Sequence, residues 1–285
     1  MQPVGELYAV GPDGPTPLAL APGVRQVNEV FEGLELGIYE ALRTFGHARM
    51  IGLAEHLGRA QASMDRLGWD ERLDREGLRR ALRTALEAAP FDESRVRFDV
   101  LPQPARELGS DARTLLALAP LDRVPEAFVR EGVGVPLIRD LRRERPLIKE
   151  AEFVIRRRRF PSGGQDAYEP MMVDERGRIL EGISSSFCGV RGRALCTCGE
   201  DVLEGVTVRL LARLAAERGI AVRHEAVLAE EAGTLDEAFL CSSVRGVVPI
   251  VRIDGRELGA GTPGAVTTEL RLAYDGYCER EAQPA

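Results

Sequence analysis

The sequence predicts an α+β protein of two domains, on three observations. Two amphipathic helices follow one another early in the chain, a stretch with two prolines and several charges interrupts it near residue 120, and short apolar strands dominate the rest. That order gives a small N-terminal α/β domain over residues 1–120, an interdomain linker over 121–132 and a larger strand-rich C-terminal domain over 133–285.

Residues 29–45, EVFEGLELGIYEALRTF, mix apolar and acidic residues, and periodicity alone allows either strand or helix. In LAEHLGRAQASMDRLGW, Leu53, Leu57, Ala60, Met64 and Leu67 recur at steps of four and three, which is one face of a helix, with Gly68 where a C′ glycine belongs. A second helix is expected over about residues 74–88, DREGLRRALRTALEA, ended by Pro90. RVRFDVLP and TLLALAP read as strands separated by a polar loop. The linker lies within APLDRVPEAFVREG. Beyond it, VGVPLI reads as a strand, EPMMVDERGRILEG as a hairpin turning at D-E-R-G, and SFCGVRGRALCT as another turning at Arg191-Gly192. A helix is expected from about Val206 to Arg218, and EAFLCSS and VVPIVRIDG read as two further strands.

Bulk properties exclude several functions. A net charge of −7 and a pI near 5.3 argue against a general nucleic-acid binder, so Arg156–Arg159 is read as a local basic run in an acidic whole. No apolar stretch approaches the roughly 20 residues that span a bilayer. The opening MQPVGELYAV lacks the layout of a signal peptide, so no membrane partner is expected and the cytoplasm is the expected compartment. Cys196 and Cys198 make a C-x-C without a second pair, and only His47, His56 and His224 could join them. No metal is therefore expected, and the five cysteines read as reduced, small apolar packers.

Of 38 basic residues 37 are arginine, and Lys149 in RPLIKEAEF is the only lysine. Arginine stays protonated and can be neither nucleophile nor base, whereas a partly desolvated lysine amine can attack a carbonyl and form a Schiff base. A strong arginine bias with one surviving lysine is the plain alternative. Glu181 follows an apolar run in ILEGISSSF, where a carboxylate could hold a buried cation or simply face water. Gly205-Val206-Thr207 stands at an expected helix start, which is either a phosphate seat or an ordinary threonine cap. FLCSSVRG ends a strand in two hydroxyls, Ser242 and Ser243, as turn chemistry or as phosphate ligands. Arg95 and Arg97 flank Val96 on a strand and share one face, as a substrate carboxylate clamp or as two surface arginines. Amine, carboxylate and phosphate seat are the parts that pyridoxal 5′-phosphate needs.

Five segments, in order, carry a family resemblance: GIYEALRTFGHARMIGLAEHLGRAQASM, RPLIKE, ILEGISSSFCGV, LEGVT and SSVRGVVPI. They resemble the class IV aminotransferases, the fold-type IV pyridoxal-phosphate enzymes, over about residues 30–275. That family includes branched-chain and D-amino-acid aminotransferases and 4-amino-4-deoxychorismate lyase. The resemblance implies that Lys149 is the Schiff-base lysine and Glu181 the partner of the pyridine nitrogen. It implies that Arg59, Val206, Thr207, Ser242 and Ser243 bind the cofactor phosphate and that Tyr39 lines the active site. It also implies small amino-acid and 2-oxo-acid substrates and a homodimer. Departures from the pattern are Ser186 for an asparagine, Val208 for an arginine, Val154 for a tyrosine and Ser242-Ser243-Val244 for G-T-A. The arginine-and-histidine motif of D-amino-acid enzymes is missing from RFDVLPQPAREL. The expected activity is transamination of branched-chain or D-amino acids. The alternative is the lyase that releases 4-aminobenzoate and pyruvate, toward whose pattern SSVRGVVPI leans.

Overall fold

The computed structural model describes residues 4–285; residues 1–3, with which the expected first domain begins, lie outside the described residues. The chain divides into two compact units: Met1–Asp122 with Ile148–Val154 and Cys278–Ala285, and Arg123–Leu147 with Ile155–Tyr277. This division departs from the sequence reading in three places. Residues 123–132 of the expected linker belong to the second unit, and residues 148–154, Lys149 among them, belong to the first. Residues 278–285, expected in the C-terminal domain, also belong to the first unit.

In the first unit β1 (Glu6–Gly11) and β2 (Gly14–Leu18) form a hairpin. They are followed by β3 (Ile38–Phe45), β4 (Arg49–Met50), α1 (Leu53–Arg66), α2 (Arg75–Ala88), β5 (Ser94–Val100) and β6 (Thr114–Pro120). The strands pair antiparallel in the order β4-β3-β5-β6-β1-β2. The ambiguous stretch 29–45 thus resolves into a short 3₁₀ turn, Val27–Phe31, and an interior strand. Alternation gives the sheet two apolar faces. Ile38, Leu42, Val96, Phe98, Leu116 and Leu118 pack with Leu57, Ala60 and Met64 of α1 and Leu78, Leu82 and Leu86 of α2. Leu7, Ala9, Leu115 and Ala117 pack with Val27, Phe31, Leu101 and Ala105 in a separate cluster. Each large side chain fully buried there contributes about 1.5–3 kcal/mol.

Both early helices end where the sequence places them. After α1, Gly68 takes a left-handed φ of 73°, a conformation that favours glycine. At the start of α2 the Asp74 carboxylate accepts the Gly77 N–H at 2.8 Å. Asp74→Ala is expected to lower stability by about 1 kcal/mol, read as a shifted urea midpoint with an unchanged m-value.

The second unit begins with α3 (Glu126–Glu131), which stands inside the expected linker and packs on the strand Gly246–Ile253. Then come β7 (Val133–Val135) and β8 (Leu137–Ile138). Helix α4 (Glu152–Arg156) begins in the first unit and ends in the second. The hairpin of β9 (Met171–Val173) and β10 (Ile179–Gly182) turns at D-E-R-G. A second hairpin, β11 (Ser186–Arg191) and β12 (Ala194–Cys196), is followed by α5 (Val206–Ala216) and β13 (Ala221–Arg223). The chain continues through β14 (Glu237–Ser242), β15 (Gly246–Ile253) and β16 (Arg256–Glu257) into α6 (Ala265–Glu281). The main sheet runs β16-β15-β14-β11-β10-β9-β8, with β12 beside β11, β13 parallel to β12 and β7 parallel to β15. Phe187, Leu240, Val248, Ile250 and Met171 lie in its core. Finally β17 (Gln283–Pro284) pairs antiparallel with β4 and extends the first sheet to seven strands.

Candidate active site

Lys149 is fastened through its backbone to the first unit. Its carbonyl accepts the Tyr39 N–H at 3.0 Å, and its own N–H donates to Ser63 Oγ at 3.2 Å. Ala151 N donates to Gly37 O at 2.9 Å, and Glu150 bridges to Ile38, so the segment pairs with the start of β3. The half-buried lysine carries its Nζ 4.7 Å from the centre of the Tyr39 ring.

Alternation along β3 sends Tyr39 to one face and Glu40 to the other, where Ile38 and Leu42 meet α1. One helical turn on α1 places His56 and Arg59 against Glu40. Arg59 donates from Nε to Glu40 Oε1 at 2.8 Å and from an Nη to Oε2 at 2.6 Å. His56 Nδ1 lies 2.7 Å from Oε2, and both Glu40 and His56 are fully buried. Burial alone would raise the Glu40 carboxyl, but the charge and hydrogen bonds of Arg59, with help from His56, outweigh it and hold it at about 2. Burial pushes the His56 pKa down, further lowered by the charges of Arg59 and Lys149, against the pull of Glu40.

On the Tyr39 face of β5 stand Arg95, Arg97 and Asp99; Asp99 is directly across from Tyr39 and Arg95 across from Arg43. Arg97 is not an open clamp. Its Nε and one Nη donate to the two oxygens of Asp99, each at 2.7 Å, and its other Nη donates to Asn28 Oδ1 at 3.3 Å. The guanidinium lies 3.9 Å from the Phe31 ring centre and 5.0 Å from that of Tyr39. Burial raises the pKa of Asp99 despite the pull of Arg97. Arg95 is half-buried two residues away.

In the second unit Glu181 sits on β10, opposite Ser186 of β11. Arg143 Nε donates to Glu181 Oε1 at 2.7 Å, with both side chains only 5% exposed. Two of the three serines after Glu181, Ser184 and Ser185, close on another buried carboxylate. Glu169 accepts the Ser184 N–H at 2.7 Å, the Ser185 hydroxyl at 2.8 Å and an Arg245 Nη at 2.5 Å. Burial opposes ionisation there, yet Arg245 and the serine donors hold the Glu169 pKa below its ordinary value. Gly182 is required beside it, because a Cβ would fall 2.4 Å from both Glu169 Oε1 and Ser185 Oγ. Arg245 also donates from an Nη to Ser184 Oγ at 2.9 Å and from its N–H to Ser242 Oγ at 3.3 Å, so Ser242 turns toward this network.

Gly205 caps α5 with no side-chain hydrogen bond, leaving Val206 and Thr207 as its first helical residues. The Thr207 and Ser243 hydroxyls meet at 3.0 Å. Ser186 lies beside the cap, where a Cβ on Gly205 would come within 2.6 Å of its Oγ. Within the first unit the structure brings together Lys149 and Tyr39, and Arg97 with Tyr39; within the second it brings together Thr207 and Ser243. Sequence reasoning missed Arg143, Glu40, Asp99, Glu169 and Arg245. Glu40 had a signal, because it is the acidic residue of G-I-Y-E on the strand that α1 covers; Arg143 is one arginine among 37. Among the described residues no cluster of three or more His, Cys, Asp or Glu side chains could hold a metal ion.

The profile of the family described as "Amino-transferase class IV" matches residues 37–253. A branched-chain-amino-acid aminotransferase of Pseudomonas aeruginosa is 35% identical over 114 residues, 40% of this chain and 36% of that protein. That match therefore spans about a third of the relative. The D-alanine aminotransferase of Bacillus licheniformis is 24% identical over 245 residues, covering 83% of this chain and 86% of that one. A solved structure described as a hypothetical aminotransferase from Mycobacterium tuberculosis, in its PLP-bound form, superposes with a TM-score of 0.73 at 20% identity, covering 95% of this chain and 98% of that one. At that identity the likeness shows the fold.

Proposed function

The chain belongs to the class IV amino-transferases, and from that membership we propose that it is a pyridoxal-phosphate-dependent transaminase. It moves an amino group between an amino acid, of branched-chain or D-amino-acid type, and a 2-oxo acid. The observation that carries the reading is the chain's only lysine, bonded through its backbone to β3 and α1 with its amine against Tyr39.

The residues present fit the cofactor. A half-buried amine, a carboxylate fixed by an arginine and a helix start with an adjacent hydroxyl pair are the donor set it needs. Bound pyridoxal phosphate supplies an electron sink for the charge that develops at the substrate Cα. Lys149 Nζ would carry the cofactor at rest and, once displaced by the substrate amine, move the proton between the substrate Cα and the cofactor's C4′. Glu181, oriented by Arg143, would hold a proton at the pyridine nitrogen. The Val206 and Thr207 N–H groups, the Thr207 and Ser243 hydroxyls and the Arg59 guanidinium would hold the phosphate, with Glu40 keeping Arg59 in one orientation. Ser242 would act by holding Arg245 in the same loop. Tyr39 would form a wall beside the amine and exclude water there.

The proposal includes a homodimer in the cytoplasm. Leu147 and Ile155, 43% and 41% exposed, flank the Lys149 segment and would suit a subunit interface. Among the described residues no helix is long and apolar enough to cross a membrane. A panel of L- and D-amino acids with pyruvate or 2-oxoglutarate tests the activity. New amino acid formed from at least one pair is expected. No transfer with any pair, alongside release of 4-aminobenzoate from aminodeoxychorismate, would replace transaminase by lyase.

A further inference from the structure

The face that Tyr39 shares with β5 carries a charge arrangement that bears on which substrates enter. Arg97 and Asp99 are buried there, i and i+2 on one strand, and the fork of Arg97 that would grip a carboxylate is filled by Asp99 at 2.7 Å on both arms. Its remaining arm donates to Asn28. Phe31 and Tyr39 cover the guanidinium at 3.9 and 5.0 Å, and the Tyr39 ring also lies 4.7 Å from the Lys149 amine. Tyr39 is therefore the common wall between the reacting amine and a neutralised ion pair. Farther along the same face, Arg95 lies across from Arg43, whose own Nη donates to Glu93 at 3.0 Å.

We propose that Asp99 is a specificity-determining residue. By neutralising Arg97 it makes the subsite beside Tyr39 accept uncharged side chains, aliphatic or aromatic, and reject a second carboxylate. The inference rests on the transaminase reading, which gives the Lys149 amine its substrate. A carboxylate entering along Tyr39 would approach an aromatic wall and an Arg97–Asp99 pair already closed on itself, and would be desolvated with no charge left on Arg97 to pair it. An uncharged side chain loses nothing at that point, so the discrimination is built from repulsion as much as from fit.

The test compares kcat/KM for neutral partners, such as an aliphatic amino acid with pyruvate, against glutamate and 2-oxoglutarate. Wild type is expected to favour the neutral partners by about tenfold or more, and Asp99→Asn, which leaves the Arg97 charge uncompensated, to move that ratio toward the dicarboxylates by about tenfold. The double variant Arg97→Gln with Asp99→Asn should gain no dicarboxylate activity. Wild type that uses the dicarboxylates as well as the neutral partners overturns the proposal, and so does an Asp99→Asn ratio equal to wild type or a double variant that gains them. If Asp99→Asn does not fold, the wild-type ratio and the double variant decide. Failure of the transaminase reading looks different, because wild type then turns over no pair. In that case glutarate, a dicarboxylate with no amine or keto group, is the probe. A thermal shift by glutarate in Asp99→Asn and not in wild type sustains the charge assignment, whereas an equal shift, or none in either, overturns it.

Discussion

Lys149→Ala is expected to lower kcat by at least about 10²–10⁴-fold and to remove the visible absorbance of lysine-bound pyridoxal phosphate. The chain has no other lysine to substitute for it. Lys149→Arg should be as inactive, because the charge is kept and the reactive amine is lost. Neither change should melt the protein, since the segment is held by backbone bonds to Tyr39 and Ser63 that alanine and arginine at 149 make equally. Steady-state rates, absorbance spectra and thermal melts on the three proteins check this. Substantial activity in Lys149→Ala would remove the lysine from the chemistry.

Glu40→Ala should have the largest effect on stability, a loss of about 3–5 kcal/mol, because it strands the Arg59 guanidinium and the buried His56 without their shared carboxylate. The same carboxylate sets the acid limit of the fold. Its depression from 4.5 to about 2 corresponds to roughly 3 kcal/mol at neutral pH, present above pH 4.5 and lost as the pH falls toward 2. His56, whose folded pKa is lowered below 6.5, acts in the same direction: the unfolded chain takes up its proton first, so stability declines as the pH drops below 6.5. Urea midpoints measured from pH 7 down to about pH 3 should therefore fall steadily in wild type and more steeply below pH 4.5. In Glu40→Gln the steep part should flatten. A Glu40→Gln profile parallel to wild type would show that the carboxylate is not the titrating group.

Elements defined by local periodicity were legible in the sequence, and those defined by distant partners were not. Helices α1 and α2 and the strands β5 and β6 follow from spacing and turn residues alone. The hairpin β1–β2 was not read, because Pro15 and Pro17 argue against a strand unless it is an edge, and β2 is the edge of its sheet. Helix α6 begins with Ala-Val-Thr-Thr and contains Gly276, a weak helical sequence. Its start is capped from far away, by the Glu237 carboxylate of β14 accepting the Val266 and Thr267 N–H groups at 3.0 and 2.6 Å. The return of residues 148–154 to the first unit depends on backbone pairing with β3, over a hundred residues earlier, which composition does not announce. The same holds at the site. Lys149, Glu181, Thr207 and Ser243 stand out through motif and rarity, while Arg143 and Asp99 matter only because of the carboxylate or guanidinium each one meets.

One measurement separates amino transfer from every other reaction of these residues. Protein loaded with pyridoxal phosphate is mixed with a single amino acid and no 2-oxo acid, and both product and cofactor are analysed. The structure and its family predict one equivalent of 2-oxo acid per bound cofactor, after which the reaction stops with the cofactor recovered as pyridoxamine phosphate. Continued turnover without an acceptor, or a cofactor unchanged by every L- and D-amino acid offered, would contradict transamination at Lys149.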